Sequence, residues 1–382
     1  MSKRVVMFLT NDAVSDPRVE KEARALVGAG FEVTVLAWDR AGNAAPVEER
    51  DGFTIERLGP RAPYGGGVKS LPLFREFWRT AADRAAEIGP DIVHCHDMDT
   101  APAGIRAVKR ATGERLKLVL DMHELYRDSK MVPQRGAVGA VARTVVRILE
   151  RRAFPAADVI LVANPGTLGY YESLGAGDKV VLVENAPDTR LFAPSAQRPE
   201  RPFTVGYFGQ KRYLEGLLAL VAAIRVHPDM AAILAGGGTA AEEIARASAD
   251  VDRIEVSGRF DYADLPALYT RCDAVYAVYG AVLGNVRTLF PVKVMEAMAC
   301  ALPVVVSTGT WIGEYVEREG IGLAIDGDDP VALSEALVRL KDEPKIAEEM
   351  GKRGLAIVQA GLSWQAASAR LVHAYEALDT RK

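Results

Sequence analysis

Lys293 and Glu296 stand three residues apart in the run Thr288-Leu289-Phe290-Pro291-Val292-Lys293-Val294-Met295-Glu296-Ala297. On a helix that spacing puts an ammonium and a carboxylate on one face. Pro291 is a residue type favoured at the first helical position, so the helix is expected to begin there and leave its first N–H groups open to an anion. Such a set can hold a phosphate at the helix start and accept hydrogen bonds from ribose hydroxyls one turn deeper. The competing reading is a solvated ion pair of little energetic consequence.

Histidines supply the second group. His123 follows the run Val119-Leu120-Asp121-Met122 and is expected at the carboxyl end of a strand, either facing a ligand or hydrogen-bonded inside the domain. His94, His96 and Asp97 close another such run. Together with His123 they could instead ligate a metal for hydrolysis, although a chain with 5 His in all has few to spare for such a site. Asp16 and Pro17 read as the N-cap and first residue of a helix that carries Arg18 in its first turn, either aimed at a ligand phosphate or solvated.

Short β-branched apolar runs alternate with helix-period segments, the pattern of βα units on a parallel sheet. Strands are expected over 5–10, 32–38, 92–96, 116–123, 159–164 and 180–184, then over 203–208, 231–235, 253–257, 274–279, 303–307 and 322–325. The polar, proline-rich stretch 194–202 separates the two series and reads as a linker. The expected fold class is α/β, with two Rossmann-like doubly wound domains facing across a cleft, over 1–195 and 200–363. A terminal helix over 364–382 is expected to pack back on the first. Ligands of open α/β sheets bind beyond the carboxyl ends of the strands, so both groups of residues are expected there. Gly28-Ala29-Gly30 lies at a helix end rather than after a strand, and Gly65-Gly66-Gly67 before Val68-Lys69-Ser70 fails the phosphate-loop spacing.

At 382 residues, with 49% hydrophobic and 26% charged residues, the chain excludes a disordered tail and a disulfide-stapled miniprotein. A net charge of −4 gives no global basic field, and no nucleic-acid partner is expected. Cys95, Cys272 and Cys300 are far apart in apolar runs and read as buried thiols of a reducing compartment. No apolar stretch approaches the ~18 residues of a spanning helix, and a soluble cytoplasmic protein is expected, with peripheral contact at the inner membrane face as a variant. That variant rests on Arg143, Arg147 and Arg151, which recur every four residues beside Val141, Val145, Ile148 and Leu149. The segment is read first as a core-packing helix with solvated arginines, and alternatively as a helix resting on anionic lipid.

The run Glu296-Ala-Met-Ala-Cys-Ala-Leu-Pro-Val-Val resembles the donor-binding motif of the retaining family 4 glycosyltransferases, which have the two-domain GT-B fold. Further stretches follow in the family's order: Asp16-Pro-Arg-Val-Glu-Lys-Glu-Ala, Asp91-Ile-Val-His-Cys-His-Asp, Asp121-Met-His-Glu, Glu184-Asn-Ala-Pro-Asp, and Gly258-Arg-Phe before Asp264-Leu-Pro-Ala-Leu-Tyr. The resemblance spans nearly the whole chain. It implies transfer of a sugar from a nucleoside-diphosphate sugar to a hydroxyl of a glycan, lipid-linked or small-molecule acceptor, with retention and without a cofactor or essential metal. The nucleotide would bind the C-terminal domain and the acceptor the N-terminal one.

Residue by residue, Glu296 would bind the donor ribose and His123 would lie against the transferred sugar and its phosphate. Gly209, Lys211, Phe260, Leu289 and Phe290 would flank the donor, with Phe260 beside the nucleobase. Arg18, His96 and Asp97 would face the acceptor. Two departures stand out. Thr288 occupies the place of the family's first motif glutamate, and Gln210 and Glu215 occupy the places of its diphosphate-binding Arg and Lys. Arg212 and Lys293 are expected to substitute for that missing pair. The departures leave open a nucleotide-sugar-binding pseudoenzyme, and the fold leaves open a sugar-nucleotide epimerase. Asp97-Met98-Asp99 matches the metal tripeptide of the single-domain GT-A enzymes, but the two-series architecture contradicts that class and the tripeptide is expected to order a loop.

Overall fold

Apolar runs too short for helices form two sheets. The computed structural model describes residues 2–14, 16–63, 70–111, 115–129, 132–133, 136–195, 201–280, 284–327 and 329–380. The glycine run 65–67 and residues 196–200 of the expected linker lie outside them.

The first sheet contains Arg4–Leu9 (β1), Glu32–Trp38 (β2), Val47–Arg50 (β3), Phe53–Leu58 (β4), Ile92–His96 (β5), Lys117–Met122 (β6), Val159–Val162 (β7) and Val180–Leu182 (β8). Their order is β3-β4-β2-β1-β5-β6-β7-β8, parallel except for the β3–β4 pair. β1 is buried from Val5 to Leu9 because helices cover both faces of a doubly wound sheet, hence its unbroken apolar sequence. The strand order reverses between β1 and β5, which makes their carboxyl ends the switch point.

β3 and β4 were not among the expected strands. Their signal was present in Asp51-Gly52, whose φ values of 50° and 86° make the two-residue hairpin turn that this dipeptide favours. The polar strand Val-Glu-Glu-Arg masks it, since an edge strand needs no apolar face.

The second sheet is wholly parallel, with Phe203–Phe208 (β9), Met230–Ala235 (β10), Ile254–Ser257 (β11), Ala274–Ala277 (β12), Val304–Ser307 (β13) and Gly322–Ile325 (β14). The order is β11-β10-β9-β12-β13-β14, so its switch point lies between β9 and β12.

The chain divides into two compact units, Met1–Asn185 with Ala367–Lys382 and Ala186–Ala366. The first border precedes the expected one at 195 because Ala186 and Phe192 are buried in the second unit's core. The second falls inside the helix Trp364–Thr380, whose later turns belong to the first unit. There the Tyr375 hydroxyl lies 2.5 Å from His94 Nδ1, and Arg370 Nε donates to Leu182 O at 2.8 Å. All three cysteines are buried and free.

Candidate functional site

In the first unit, side-chain alternation along β5 sends Cys95 into the core and His94 and His96 to the other face, where their rings stack at 4.2 Å. The β5–β6 register sets His96 beside Asp121. Asp121 organises the cluster. It receives Arg18 through two bonds of 2.8 and 2.5 Å, His123 Nε2 at 2.8 Å, and His96 Nδ1 at 3.1 Å. After β5 the chain turns at Asp97 with φ 61°, and this carboxylate takes the His123 N–H at 3.2 Å and lies 3.3 Å from His123 Nδ1.

The charges follow from these contacts. Burial opposes ionisation of His123, but Asp97 and Asp121 outweigh it and hold the imidazolium up to about 10. His96 moves the other way, to about 3, through burial and the neighbouring His94. Burial also lowers His94. Asp121 is buried too, yet Arg18 and His123 keep it ionised well below the ordinary carboxylate range. Glu22 is pushed up to about 8 by its burial. His123 is therefore a partly exposed cation at a strand end, while His94 and His96 are neutral.

Arg18 is corrected from the expected ligand contact. It is buried, and besides Asp121 it binds Val183 O at 2.8 Å and Glu22 at 2.9 Å, because a desolvated guanidinium needs such partners. His96 is likewise buried, not presented to an acceptor. Among the described residues, the group whose ligand atoms gather within 4.8 Å is Glu22, His94, His96 and Asp121, not the expected set with Asp97 and His123. Arg18 already supplies, through both carboxylates, the positive charge that a metal would bring. Asp97 and Asp99 do order a loop: Asp97 N–H donates to Asp121 O at 2.8 Å and Asp99 accepts from Thr10 Oγ1 at 2.7 Å. Glu22 and Tyr375 were missed. Glu22 stands i,i+4 from Arg18, a readable signal, whereas Tyr375 is distant in sequence and gives none.

In the second unit the switch point is built by backbone. Gly209 follows β9 and Gly236 follows β10, each with φ 129°. A Cβ on Gly236 would sit 2.0 Å from Gly209 O, so only glycine lets the two loops lie together. Lys211 fastens them. Its N–H donates to Gly237 O at 2.6 Å, and its buried ammonium donates to Gly236 O and, at 2.7 Å, to Ser257 O. Lys211 is thus corrected from donor contact to loop support, since its charge is spent on carbonyls.

Lys293 is different. Its ammonium lies 3.6 Å from the Tyr207 ring centroid and 5.3 Å from that of Tyr279, beside the Gly209 backbone. Burial lowers it to about 7, with Glu296 opposing. No hydrogen bond joins that ammonium to another described residue. Pro291 proves to be the N-cap rather than the first helical residue of Val292–Ala299, and Val294 N–H returns to Pro291 O at 2.9 Å. The N–H groups of Val292 and Lys293 then have no intrahelical acceptor. Arg212 is exposed on the Gly209 loop, within electrostatic reach of Tyr207, whose hydroxyl donates to Gln210 O at 2.6 Å.

Glu296 is buried and accepts from Tyr269 at 2.7 Å, which replaces the solvated ion-pair reading. Phe290 is corrected to a core position: it packs at 5.3 Å from Trp311 and 5.1 Å from Tyr315. Leu289 and Phe260 are half-buried, the latter against the core. Glu215, in the place of a family lysine, is exposed in the first turn of Leu214–Val226, where a carboxylate suits the helix dipole. Sequence reasoning missed Arg259, an exposed cation whose stem passes Gly237, 3.6 Å from where a Cβ would be.

The family model described as a glycosyl transferase 4-like domain matches residues 15–186, and that described as glycosyl transferases group 1 matches 189–356. The chain is 28% identical over 364 residues to a D-inositol 3-phosphate glycosyltransferase of Salinispora tropica, covering 83% of this chain and 71% of the relative. It is also 28% identical over 238 residues to a GDP-mannose-dependent monoacylated alpha-(1-6)-phosphatidylinositol monomannoside mannosyltransferase of Corynebacterium glutamicum, covering 56% of this chain and 61% of the relative. The chain thus spans less than two thirds of the latter's length. Sucrose-phosphate synthase from Thermosynechococcus elongatus shares the fold with a TM-score of 0.79, at 21% identity and with 100% of both chains covered. With both halves matched in order and two α/β units on mainly parallel sheets, the chain belongs to the family 4 glycosyltransferases of the GT-B class.

Proposed function

We propose that the chain transfers a glycosyl group from a nucleoside-diphosphate sugar to an acceptor hydroxyl with retention at the anomeric carbon. The second unit binds the nucleotide and the first the acceptor. One observation carries the reading: at the β9/β12 switch point a buried ammonium, Lys293, rests on two aromatic rings at a helix N-terminus, with no hydrogen bond to another described residue. A departing diphosphate supplies an anion for it. Arg212, on the neighbouring loop, offers a guanidinium fork to the same group, and Arg259 a further cation. Glu296, oriented by Tyr269, accepts from the donor ribose, and in the first unit His123 offers a partly exposed cation to a sugar or its phosphate. Helix dipole and side-chain cations do the work of a divalent ion, so turnover should survive a chelator.

The absence of the family's Arg and Lys, with Gln210 and Glu215 in their places, favours one second reading, a binder without turnover. A thermal-shift panel of nucleotides and nucleotide sugars separates the possibilities. A ligand at about 100 times its dissociation constant should stabilise by ~2.7 kcal/mol. Each positive hit is then incubated with candidate acceptors. Arg212→Ala should lower transfer at least roughly tenfold, the worth of one charge-assisted hydrogen bond. Wild-type turnover in that variant refutes the role of Arg212; binding without transfer or hydrolysis establishes the binder, and sugar inversion without an acceptor establishes an epimerase.

A further inference from the structure

The helix Gly136–Ala156 buries Gly139, Val146, Glu150, Ala153 and Phe154 against the first unit. The helix thus packs on the core as expected, but through this face and not through the stripe of Val141, Val145, Ile148 and Leu149. Val138 is 70% exposed, Val141 63%, Val145 49%, Ile148 44% and Leu149 39%. At about 100° per residue these five fall within one arc of roughly 100°, on the side away from the buried set. The helix is therefore apolar toward the core and again toward its outside.

Charge runs alongside. At the same 100° per residue Arg147 and Arg151 are exposed between the buried set and the apolar arc, Arg143 is half-buried at the edge of the buried set, and Arg152 rises within the apolar arc itself. Glu150 is the helix's one acidic residue, and it is turned inward to receive the Tyr170 hydroxyl. From there Glu150 attracts Arg127 and Arg147, and the helix carries no other carboxylate to offset Arg151 and Arg152. A cavity of about 380 Å³ at the flank is lined by Arg127, Asp128, Arg143, Thr144 and Arg147, with three guanidinium groups to one carboxylate. The Arg127 guanidinium stacks 4.3 Å above the Tyr170 ring. The apolar ridge and the excess of guanidinium groups over carboxylates together match a surface that offers acyl chains beneath phosphates. A protein partner would need an acidic rim around an apolar groove, and a second copy would set arginines against arginines.

We propose that the outer face of Gly136–Ala156 docks this protein on an anionic phospholipid surface, with Val138, Val141, Val145, Ile148 and Leu149 at the acyl boundary and the arginines on headgroup phosphates. No described helix is long and apolar enough to cross a membrane, so the helix lies along the surface. The helix belongs to the first unit and the loops proposed to bind the nucleotide to the second, and its test needs neither donor nor acceptor.

The full chain is sedimented with vesicles of phosphatidylglycerol and phosphatidylcholine in equal parts, and with vesicles of phosphatidylcholine alone. It should pellet with the first and far less with the second, and added salt should release it. Arg147→Gln and Arg151→Gln should each weaken binding about fivefold, and the double variant Val141→Asp, Ile148→Asp should abolish it. All four positions are exposed, so circular dichroism and the melting midpoint should stay at wild-type values. Failure of the wild type to pellet with phosphatidylglycerol overturns the proposal, as does undiminished binding by the double variant. A concentration-dependent dimer that Ile148→Asp dissolves, without vesicle binding, overturns it in favour of a second copy.

Discussion

At the scale of single residues, Arg18 and Lys293 show two fates of a buried charge. Arg18 is tied to Asp121, Glu22 and Val183 O, so Arg18→Met should cost about 3–5 kcal/mol in chemical denaturation by stranding two buried carboxylates. The Lys293 ammonium lies over two aromatic rings and has no hydrogen bond to another described residue. In the free protein it sheds its proton near 7, against 10.5 when unperturbed, because burial disfavours its charge. The unfolded chain binds the extra proton between those values, so this residue's contribution to stability rises with pH across that window. Diphosphate binding has the opposite dependence, since it needs the ammonium. Isothermal titration should show nucleoside-diphosphate affinity falling above about pH 7, by up to tenfold per pH unit. Lys293→Met should bind more weakly below that pH and lose the slope; an unchanged slope would show that another group titrates.

At the scale of elements, the second unit's binding edge depends on two loops whose backbones touch. Gly236→Ala would force a Cβ against Gly209 O at a φ that side chains rarely adopt, and should cost at least ~2 kcal/mol along with nucleotide binding. Lys211→Met tests the same joint from the side chain. It removes the donor to Gly236 O and Ser257 O and should lower stability by about 1–3 kcal/mol, with the thermal shift from saturating nucleotide retained if Lys211 makes no ligand contact. Most strands were legible as short β-branched runs. The hairpin of β3 and β4 was not, because Glu48, Glu49 and Arg50 obscure the alternation that Asp51-Gly52 punctuates.

At the scale of the whole molecule, the chain finishes the first unit only at its end. Leu371, Tyr375 and Leu378 are buried, each worth about 1.5–3 kcal/mol on burial, and Tyr375 also meets His94. A chain ending at Ala366 should therefore show a lower unfolding midpoint for the first unit, read by hydrogen exchange in β5 and β6. Tyr375→Phe should cost only about 1 kcal/mol, the net worth of one hydrogen bond.

The sequence by itself determined the fold class and both strand series, and the resemblance carried by Glu296 and its neighbours identified the family. These are local properties: apolar periodicity, turn chemistry and residue type at fixed spacing. It could not tell which cations are spent. Arg18, Lys211, Arg212 and Lys293 read alike as positive residues near strand ends, yet two are consumed by buried carboxylates and carbonyls, one is exposed, and one rests on aromatic rings. Only the tertiary structure decides this, because the partners that set a buried charge's fate, such as Asp121 for Arg18 and Ser257 for Lys211, come from strands far away along the chain.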